Sequence, residues 1–123
     1  MTAPIALTCG EPAGIGPELA VSAWNALRDE LPFFLIGDPT HLPDGASVVE
    51  IASPVEAAGA MAQGLPVLRH DFAQAAVPGQ PDATNAQGVI DVIARGVDLV
   101  QSGDASALCT LPIHKKALQD GAG

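Results

Sequence analysis

Short apolar runs alternate with helix-like patterns from one end of the chain to the other. Five of the runs have the length and the flanking Gly or Pro residues that are typical of strands. They cover residues 4–9, 33–36, 48–51, 65–69 and 107–111. The last run is predicted to be a buried strand, because it is a short apolar run bounded by turn residues.

Four other segments have the apolar spacing of helices, at residues 17–28, 54–63, 83 or 84–102 and 115–120. Pro17 fits the first helical position, where a missing N–H costs nothing. The third segment is the clearest, and its apolar stripe is predicted to be Val89, Ile90, Ile93, Val97 and Val100. Gly103 and Gly121 are predicted to end the third and fourth helices.

This alternation of strands and helices predicts an α/β fold, with an open, largely parallel sheet and helices on both faces. In such sheets, ligands bind outside the carboxyl ends of the strands. Three turns follow strands at those ends, at residues 10–17, 37–39 and 112–115. We therefore expect the functional residues to lie in these turns.

The composition is typical of one globular domain, and the net charge argues against some classes of ligand that the protein could bind. The chain has 123 residues, of which 48% are hydrophobic and 15% are charged, and its formal net charge is -9. This charge argues against binding to nucleic acid or to an anionic membrane surface, both of which need clustered basic residues. Backbone N–H groups can still bind a phosphate-bearing small molecule.

The chain has no run of about 18 apolar residues that could span a membrane, and no basic, apolar leader. Its two cysteines are too few for a disulfide framework. These features predict a soluble, reduced, cytoplasmic protein. Cys9 and Cys109 end two predicted strands, where small buried side chains are a sufficient explanation.

The first turn is rich in glycine and lies between a strand and a helix. Gly10, Gly14 and Gly16 allow a ligand to approach the main chain, and the N–H groups of the following helix would face that ligand. The spacing is neither that of a dinucleotide fingerprint nor that of a phosphate-binding Walker loop. A tight connection that needs small residues is an equally good explanation, and Glu11 and Glu18 are either site residues or solvated acids.

A second candidate turn contains His114 and Lys115 after a proline. A cation in the first turn of a helix is disfavoured by the helix dipole, so Lys115 indicates an anionic partner. The alternative is an ordinary solvated pair, Lys115 and Lys116, beside a histidine with a local hydrogen bond. Both explanations are open at this point.

Other polar residues have simpler explanations. Asp38 is predicted to cap a turn with Pro39, and the pair His70 and Asp71 to lie on the surface. The three histidines, at positions 41, 70 and 114, lack the spacing of a metal site.

Taken together, three segments resemble the 4-hydroxythreonine-4-phosphate dehydrogenase family of vitamin B6 biosynthesis. They are residues 7–18 (LTCGEPAGIGPE), 85–88 (NAQG) and 110–115 (TLPIHK). The first is similar to the family's opening signature and the last to its T-x-P-[IV]-x-K motif. The segments come in the family's order, whereas residues 42–80 match only loosely.

The resemblance implies an isocitrate/isopropylmalate-dehydrogenase-like fold and a homodimer with its active site between two domains. It implies NAD- or NADP-dependent oxidation of 4-phosphooxy-threonine to a 3-keto acid, which decarboxylates to 3-amino-2-oxopropyl phosphate. A divalent metal (Zn, Mg or Co) would hold the hydroxyl oxygen. By resemblance, Gly10, Glu11, Gly14 and Gly16 line the cleft toward the cofactor, and His114 and Lys115 line it toward the substrate.

Family members are more than twice as long as this chain, and their metal-binding histidines lie beyond the matching part. Residues 1–123 are therefore expected to be an incomplete, N-terminal α/β segment of a two-domain dehydrogenase, inactive alone and without an identified catalytic residue or metal ligand. Three alternatives stay open. They are a paralogue acting on another phosphorylated four-carbon hydroxy acid or a ring diol, a non-catalytic anion-binding module, and a phosphate acyltransferase.

Overall fold

A computed structural model describes residues 3–122 and contains one parallel five-stranded sheet. The strands are β1 (Ile5–Thr8), β2 (Phe33–Gly37), β3 (Val48–Ile51), β4 (Leu65–Arg69) and β5 (Ala107–Thr110). Their order across the sheet is β3-β4-β2-β1-β5, and all four pairings are parallel. The predicted parallel α/β sheet is confirmed, and β3 and β4 have the same bounds as predicted.

The helices are α1 (Gly16–Leu27), α2 (Ala57–Ala60), α3 (Ala86–Ser102) and α4 (Lys115–Ala122). Short 3-10 turns, Pro39–His41, Pro54–Glu56 and Ala83–Asn85, precede β3, α2 and α3. The second predicted helix is therefore shorter than expected. No helix in residues 3–122 is both long and apolar enough to cross a membrane.

Helices cover both faces of the sheet, as predicted. Helix α1 covers one face, where its residue Leu27 lies near Leu7 of β1 and Phe33 of β2. On the other face, the bare backbone of Gly96 in α3 leaves room for the side chains of Leu108 and Thr8. The central strands β2 and β4 hold the core, and the sheet is therefore most deeply buried away from β5.

The predicted apolar stripe of α3 is only partly correct. Val89 is buried and Val100 is half-buried, but Ile90 and Val97 are each 39% exposed. Val92 and Gly96 take the positions against the sheet instead. The helix has apolar residues on two adjacent faces, and sequence spacing alone did not show which face the sheet covers.

The prediction that β5 is a buried strand is wrong. Three of its four residues are exposed, and only Leu108 is half-buried. The physical reason is its position, because β5 pairs with β1 on one side and forms the edge of the sheet on the other.

Gly103 ends α3 in the left-handed conformation with φ of +85°, as predicted. Gly121, in contrast, does not end α4, because the helix continues to Ala122. A side chain at Gly121 would collide with the carbonyl oxygen of Ala83. This glycine therefore allows α4 to pack closely against the start of α3.

Candidate functional site

The first turn and the segment after β5 meet at the carboxyl edge of the sheet. The N–H of Glu11 donates to the carbonyl oxygen of Pro112 at 2.8 Å, and that of Leu111 donates to Thr8 at 3.1 Å. Because β1 and β5 are parallel neighbours, their carboxyl ends lie side by side. The two turns singled out from the sequence thus form one continuous surface.

A third segment completes this surface. The N–H of Gly79 donates to the carbonyl oxygen of Ala13 at 2.8 Å, which ties the loop after β4 to the first turn. The three segments enclose a depression of about 360 Å³, which we call the main cleft. It is lined by residues 11, 13–15, 79, 81 and 112–114.

The sequence analysis did not place the loop around Gly79 in the site. The usable signal was that β4 is parallel to β1, so the loop that follows β4 also leaves from the carboxyl edge. The distance along the chain between β4 and this loop concealed the relationship. Gly79 itself adopts a φ of +79° at the tip of the loop.

The three positions of the first turn are occupied by glycine for different structural reasons. Gly10 has a φ of +66°, and a side chain there would collide with the carbonyl oxygen of Pro112. A side chain at Gly16 would collide with the carbonyl oxygen of Cys9. Gly14 alone is exposed, and a methyl group at its Cα would make only ordinary contacts. Packing of the main chain explains Gly10 and Gly16, whereas Gly14 is open to a ligand.

Glu11 is the buried acid of the main cleft. Its side chain is only 5% exposed, and its Oε1 accepts a hydrogen bond from the N–H of Ala13 at 3.2 Å. This bond holds the first turn in shape, and the carboxylate still lines the cleft. Glu18, by contrast, is an exposed residue of α1.

His114 directly precedes α4 and also lines the main cleft. Its Nδ1 accepts from the N–H of Ala117 at 3.1 Å, and its carbonyl oxygen accepts from Leu118 at 3.1 Å. This is the arrangement of a helix N-cap. Because Nδ1 accepts, the ring proton of the neutral form lies on Nε2.

The two lysines after His114 differ in their surroundings. Lys116 donates to Asp120 at 3.1 Å, one turn later on α4. Lys115 is exposed and forms no ion pair within residues 3–122. The simple explanation, a solvated lysine pair beside a capping histidine, fits both exposed lysines. Of the two, Lys115 is the one whose charge is not paired within residues 3–122.

A second depression of about 340 Å³ lies on the other side of Gly14, between the start of α1 and the turn after β2. Its polar side chains include Glu18, Thr40, His41 and Asp44. No side chain caps the first turn of α1. Pro17 has no N–H and that of Leu19 donates to Ile15 at 2.9 Å, so the exposed residue of this turn with an uncapped N–H is Glu18.

Asp38 has the capping role predicted for it. Its Oδ1 accepts from the N–H of Thr40 at 3.0 Å and from the Thr40 hydroxyl at 2.7 Å, and its Oδ2 accepts from Phe72 at 3.1 Å. Burial opposes ionisation, but these hydrogen bonds together outweigh it and lower the pKa of Asp38. The carboxylate thus joins the turn after β2 to the segment after β4.

Cys9 directly follows β1 and Cys109 lies on the neighbouring strand β5, but the two differ in burial. Cys9 is buried beside Gly37, and burial raises the pKa of its thiol to about 12. Cys109 is exposed and pairs in register with Leu7. The prediction of a small buried side chain is correct for Cys9 and wrong for Cys109.

The histidines do not form a metal site in the described part of the chain. His41 and His70 both contact the ring of Phe72, at centroid distances of 5.1 and 5.9 Å, and the Nε2 of His41 lies 2.9 Å from the carbonyl oxygen of Gln74. His70 is half-buried, whereas its neighbour Asp71 is exposed and paired with Arg69. Within residues 3–122, no group of three or more His, Cys, Asp or Glu side chains could hold a metal ion.

Comparisons with known proteins agree with the resemblance found in the sequence. The family described as pyridoxal phosphate biosynthetic protein PdxA matches residues 29–122. A 4-hydroxythreonine-4-phosphate dehydrogenase of Roseobacter denitrificans is 58% identical over 121 residues, which are 98% of this chain and 37% of that protein. The first turn lies outside the match to the family but within the alignment to this relative.

Solved structures show the same fold. The 4-hydroxythreonine-4-phosphate dehydrogenase of Burkholderia phymatum superposes with a TM-score of 0.85 at 27% identity, covering 99% of this chain and 40% of that one. The enzyme of Klebsiella pneumoniae gives a TM-score of 0.84 at 27% identity, covering 98% and 40%. The chain thus spans well under half the length of the relatives it matches, and corresponds to an N-terminal portion of them.

Proposed function

The chain belongs to the PdxA family of pyridoxal phosphate biosynthetic proteins, and from this membership we propose that it forms one wall of a dehydrogenase active site. The substrate class is a phosphorylated hydroxy-amino acid, as the name of the Roseobacter relative indicates. The reaction is oxidation of the secondary alcohol by a nicotinamide cofactor, followed by loss of carbon dioxide.

One observation carries this proposal. The hydrogen bond from Glu11 to Pro112 brings the glycine-rich turn and residues 112–114, which end at His114, into a single cleft at the carboxyl edge. These are the segments through which the sequence resembles the family. The carboxyl edge is also where open α/β sheets bind their ligands.

We assign the anionic end of the substrate to the side of the cleft that contains His114. Lys115 follows His114 in the chain, next to the residues that line the cleft. The Nε2–H of neutral His114 is a donor, and Lys115 has no internal partner within residues 3–122 to neutralise it. Both groups suit the oxygens of a phosphate. Because Glu11 is acidic and also lines the cleft, the phosphate is expected to lie toward His114 and away from the Glu11 carboxylate.

The residues around Gly14 fit a part of a nicotinamide cofactor. Gly14 lines both depressions, and the start of α1, where no side chain caps the N–H of Glu18, offers a donor of the kind that binds pyrophosphate. The cofactor, NAD or NADP, supplies hydride transfer when bound. Gly10 and Gly16 hold the turn in the shape that exposes Gly14, and Glu11 fixes it through Ala13.

The described residues do not fit a metal site, since they bring together no sufficient ligand group. We therefore assign no step to a metal within this chain, and we place the ligands of the expected divalent ion elsewhere in a longer protein. We also propose that residues 1–123 are one segment of a two-domain, homodimeric, cytoplasmic enzyme.

A fusion protein tests the proposal. This chain is joined to the part of the Roseobacter denitrificans relative that follows the matched region, and formation of reduced nicotinamide is measured with 4-hydroxythreonine-4-phosphate. We expect turnover by the fusion and none by the 123-residue chain. Lys115→Met is expected to raise the KM by about tenfold, which corresponds to one lost charged contact.

Lys116→Met is the matched control, because it removes an exposed charge whose partner lies on the same helix. Its KM is expected to stay within about twofold of the parent value. A folded fusion that binds the phosphorylated compound without turnover would instead support a non-catalytic anion-binding module. A fusion that is active only on other phosphorylated hydroxy acids or on ring diols would support a paralogous dehydrogenase.

A further inference from the structure

A segment outside the sheet separates the two depressions. Residues 72–81 follow β4 and belong to none of the five strands. Ala76 and Pro78 line the second depression, whereas Gly79 and Pro81 line the main cleft. We call residues 72–81 the strap. Because the strap is not paired with the sheet, contacts from other segments decide where it lies.

The main chain of Gln74, in the first half of the strap, is held at both of its polar groups. Its N–H donates to the Oδ1 of Asn85 at 2.9 Å, and its carbonyl oxygen accepts from the Nδ2 of Asn85 at 3.2 Å. The Nε2 of His41 lies 2.9 Å from the same carbonyl oxygen, which has lone pairs for two donors. The Asn85 amide therefore makes the pair of bonds that two opposite residues exchange in an antiparallel ladder.

Helix capping does not explain the asparagine at position 85. Asparagine is favoured at the N-cap of a helix, and Asn85 occupies that position in α3. Its side chain, however, does not cap α3 and bonds to the strap instead. Asn85 is only 2% exposed, and a buried amide is costly unless its polar atoms are bonded. Both atoms are bonded to Gln74, so contact with the strap accounts for this residue.

The second half of the strap reaches the first turn. The N–H of Gly79 donates to the carbonyl oxygen of Ala13 at 2.8 Å, beside Gly14. Only four residues separate Gln74 from Gly79, and one of them, Pro78, has a fixed φ. A shift of Gln74 would therefore move Gly79 and disturb its bond to Ala13.

We infer that Asn85 is a positioning residue of the main cleft, because it holds Gln74 and so keeps the strap bonded to Ala13. Asn85 itself lines neither depression. The identity of the affected ligand rests on the proposed function, which assigns the surroundings of Gly14 to the nicotinamide cofactor. Loosening the strap weakens cofactor binding, because a mobile wall must be ordered each time the ligand binds. The chemical step is left unchanged.

Two substitutions separate this role from helix capping. Asn85→Asp keeps a favoured N-cap residue, but its carboxylate has no N–H and places a negative oxygen against the Gln74 carbonyl. Asn85→Ala removes both bonds without burying a charge. In the 123-residue chain, we expect either change to speed amide exchange at Gly79 at least about tenfold. The amide of Leu111, which bonds to Thr8 outside the strap, should keep its rate within about twofold.

Gln87→Ala is the matched control. Gln87 has a side-chain amide in the first turn of the same helix, but it is exposed and donates to Asp91 of α3 at 2.8 Å. Loss of this bond should leave exchange at Gly79 within about twofold of the parent rate, because it affects the helix alone.

The Roseobacter fusion tests the effect on the cleft. For Asn85→Ala in the fusion, we expect the KM for the nicotinamide cofactor to rise at least about threefold, with kcat within about twofold of the parent value. An enzyme that is only less stable would show a lower kcat, from fewer folded molecules, at an unchanged KM. Gln87→Ala should change neither constant.

Exchange at Gly79 that stays at the parent rate in both Asn85 variants overturns the inference. A parent rate in Asn85→Asp alone also overturns it, and assigns Asn85 to capping. If the buried carboxylate of that variant unfolds the chain, exchange at Leu111 rises as well, and Asn85→Ala decides. A lower kcat at an unchanged cofactor KM overturns the inference too, because it identifies a purely structural residue.

Exchange in the 123-residue chain does not depend on catalysis. Faster exchange at Gly79 in both Asn85 variants, together with an inactive parent fusion, would therefore support the role of Asn85 in holding the strap. That result would count against the proposed activity alone.

Discussion

The N–H of Glu11 donates to the carbonyl oxygen of Pro112 at 2.8 Å, and this bond joins segments about one hundred residues apart in the chain. It forms because β1 and β5 are neighbouring parallel strands. The contact leaves no space for a side chain at Gly10, the residue before Glu11. The shape of the main cleft therefore depends on a glycine that faces protein rather than ligand.

The close contact at Gly10 predicts a large loss of stability in Gly10→Ala. The new methyl group would collide with the carbonyl oxygen of Pro112, and the positive φ adds backbone strain. We expect the free energy of unfolding to fall by at least about 2 kcal/mol. Urea denaturation followed by the fluorescence of Trp24, the single tryptophan, measures it.

Gly45→Ala is the matched control for this experiment. Gly45 has a φ of +80°, but no atom lies within 4 Å of the position that a methyl group would take. The free energy of unfolding of Gly45→Ala is expected to fall by about 1 kcal/mol, because only the positive φ opposes the substitution. Equal losses at the two positions would show that contact with Pro112 is unimportant.

Thr8 carries a buried hydroxyl with no hydrogen-bond partner within residues 3–122, and it is fully buried against α3. Valine has nearly the same shape and lacks the unsatisfied group. We expect Thr8→Val to raise the free energy of unfolding by about 1 kcal/mol. Thr110→Val, at the exposed register partner on β5, should change it little, and a loss of stability in Thr8→Val would contradict the assignment.

Asp38 makes the stability of the folded protein depend on pH in the acid range. Burial opposes its ionisation, but hydrogen bonds from Thr40 and Phe72 outweigh burial and lower its pKa in the folded protein. The resulting stabilisation is complete above the unfolded pKa of about 3.9 and is lost as the pH falls through the lower folded pKa. Asp38→Asn should therefore destabilise the protein at neutral pH and reduce the loss of stability on acidification.

Thermal unfolding measured from neutral pH down to about pH 2 tests this dependence. Asp98→Asn is the control, because Asp98 is exposed on α3 and its side chain forms no hydrogen bond within residues 3–122. It should leave the acid part of the profile unchanged. Parallel profiles for Asp38→Asn and the parent protein would exclude the proposed role of Asp38.

The thiols should differ sharply in reactivity. Burial raises the pKa of Cys9 to about 12, and its side chain is inaccessible, whereas Cys109 is exposed. At pH ~8 the Cys9 thiol would therefore stay protonated even if a reagent reached it, and the thiolate is the reactive form. We expect one rapid equivalent of alkylation in the native chain, at Cys109, and two after denaturation. Peptide mass spectrometry assigns the site, and rapid labelling of Cys9 would refute the burial.

The secondary structure was largely predictable from local pattern. The runs at β3 and β4 have sharp boundaries of Gly, Pro and polar residues, and their limits agree with the predicted ones. Asp38 was correctly identified as a cap, because an aspartate bonds to the backbone two residues later. Such features depend on neighbours in the sequence, and so the sequence determines them.

The predictions failed where contacts between distant parts of the chain determine the burial of a residue or the end of a helix. The exposure of Ile90 and Val97 depends on which face of α3 meets the sheet, and that of Cys109 depends on the place of β5 at the edge. Gly121 looked like a helix end but is a contact point for Ala83. Local spacing contains no information on these contacts.

By itself, the sequence determined the α/β class, most of the strand and helix limits, and the family. Only the tertiary structure decided which segments share the main cleft, since the loop at Gly79 enters it through a bond to Ala13. It also separated the glycines that packing requires from Gly14, which faces solvent. The physical reason is that strand order in the sheet sets these contacts, and the order arises from long-range packing rather than from local pattern.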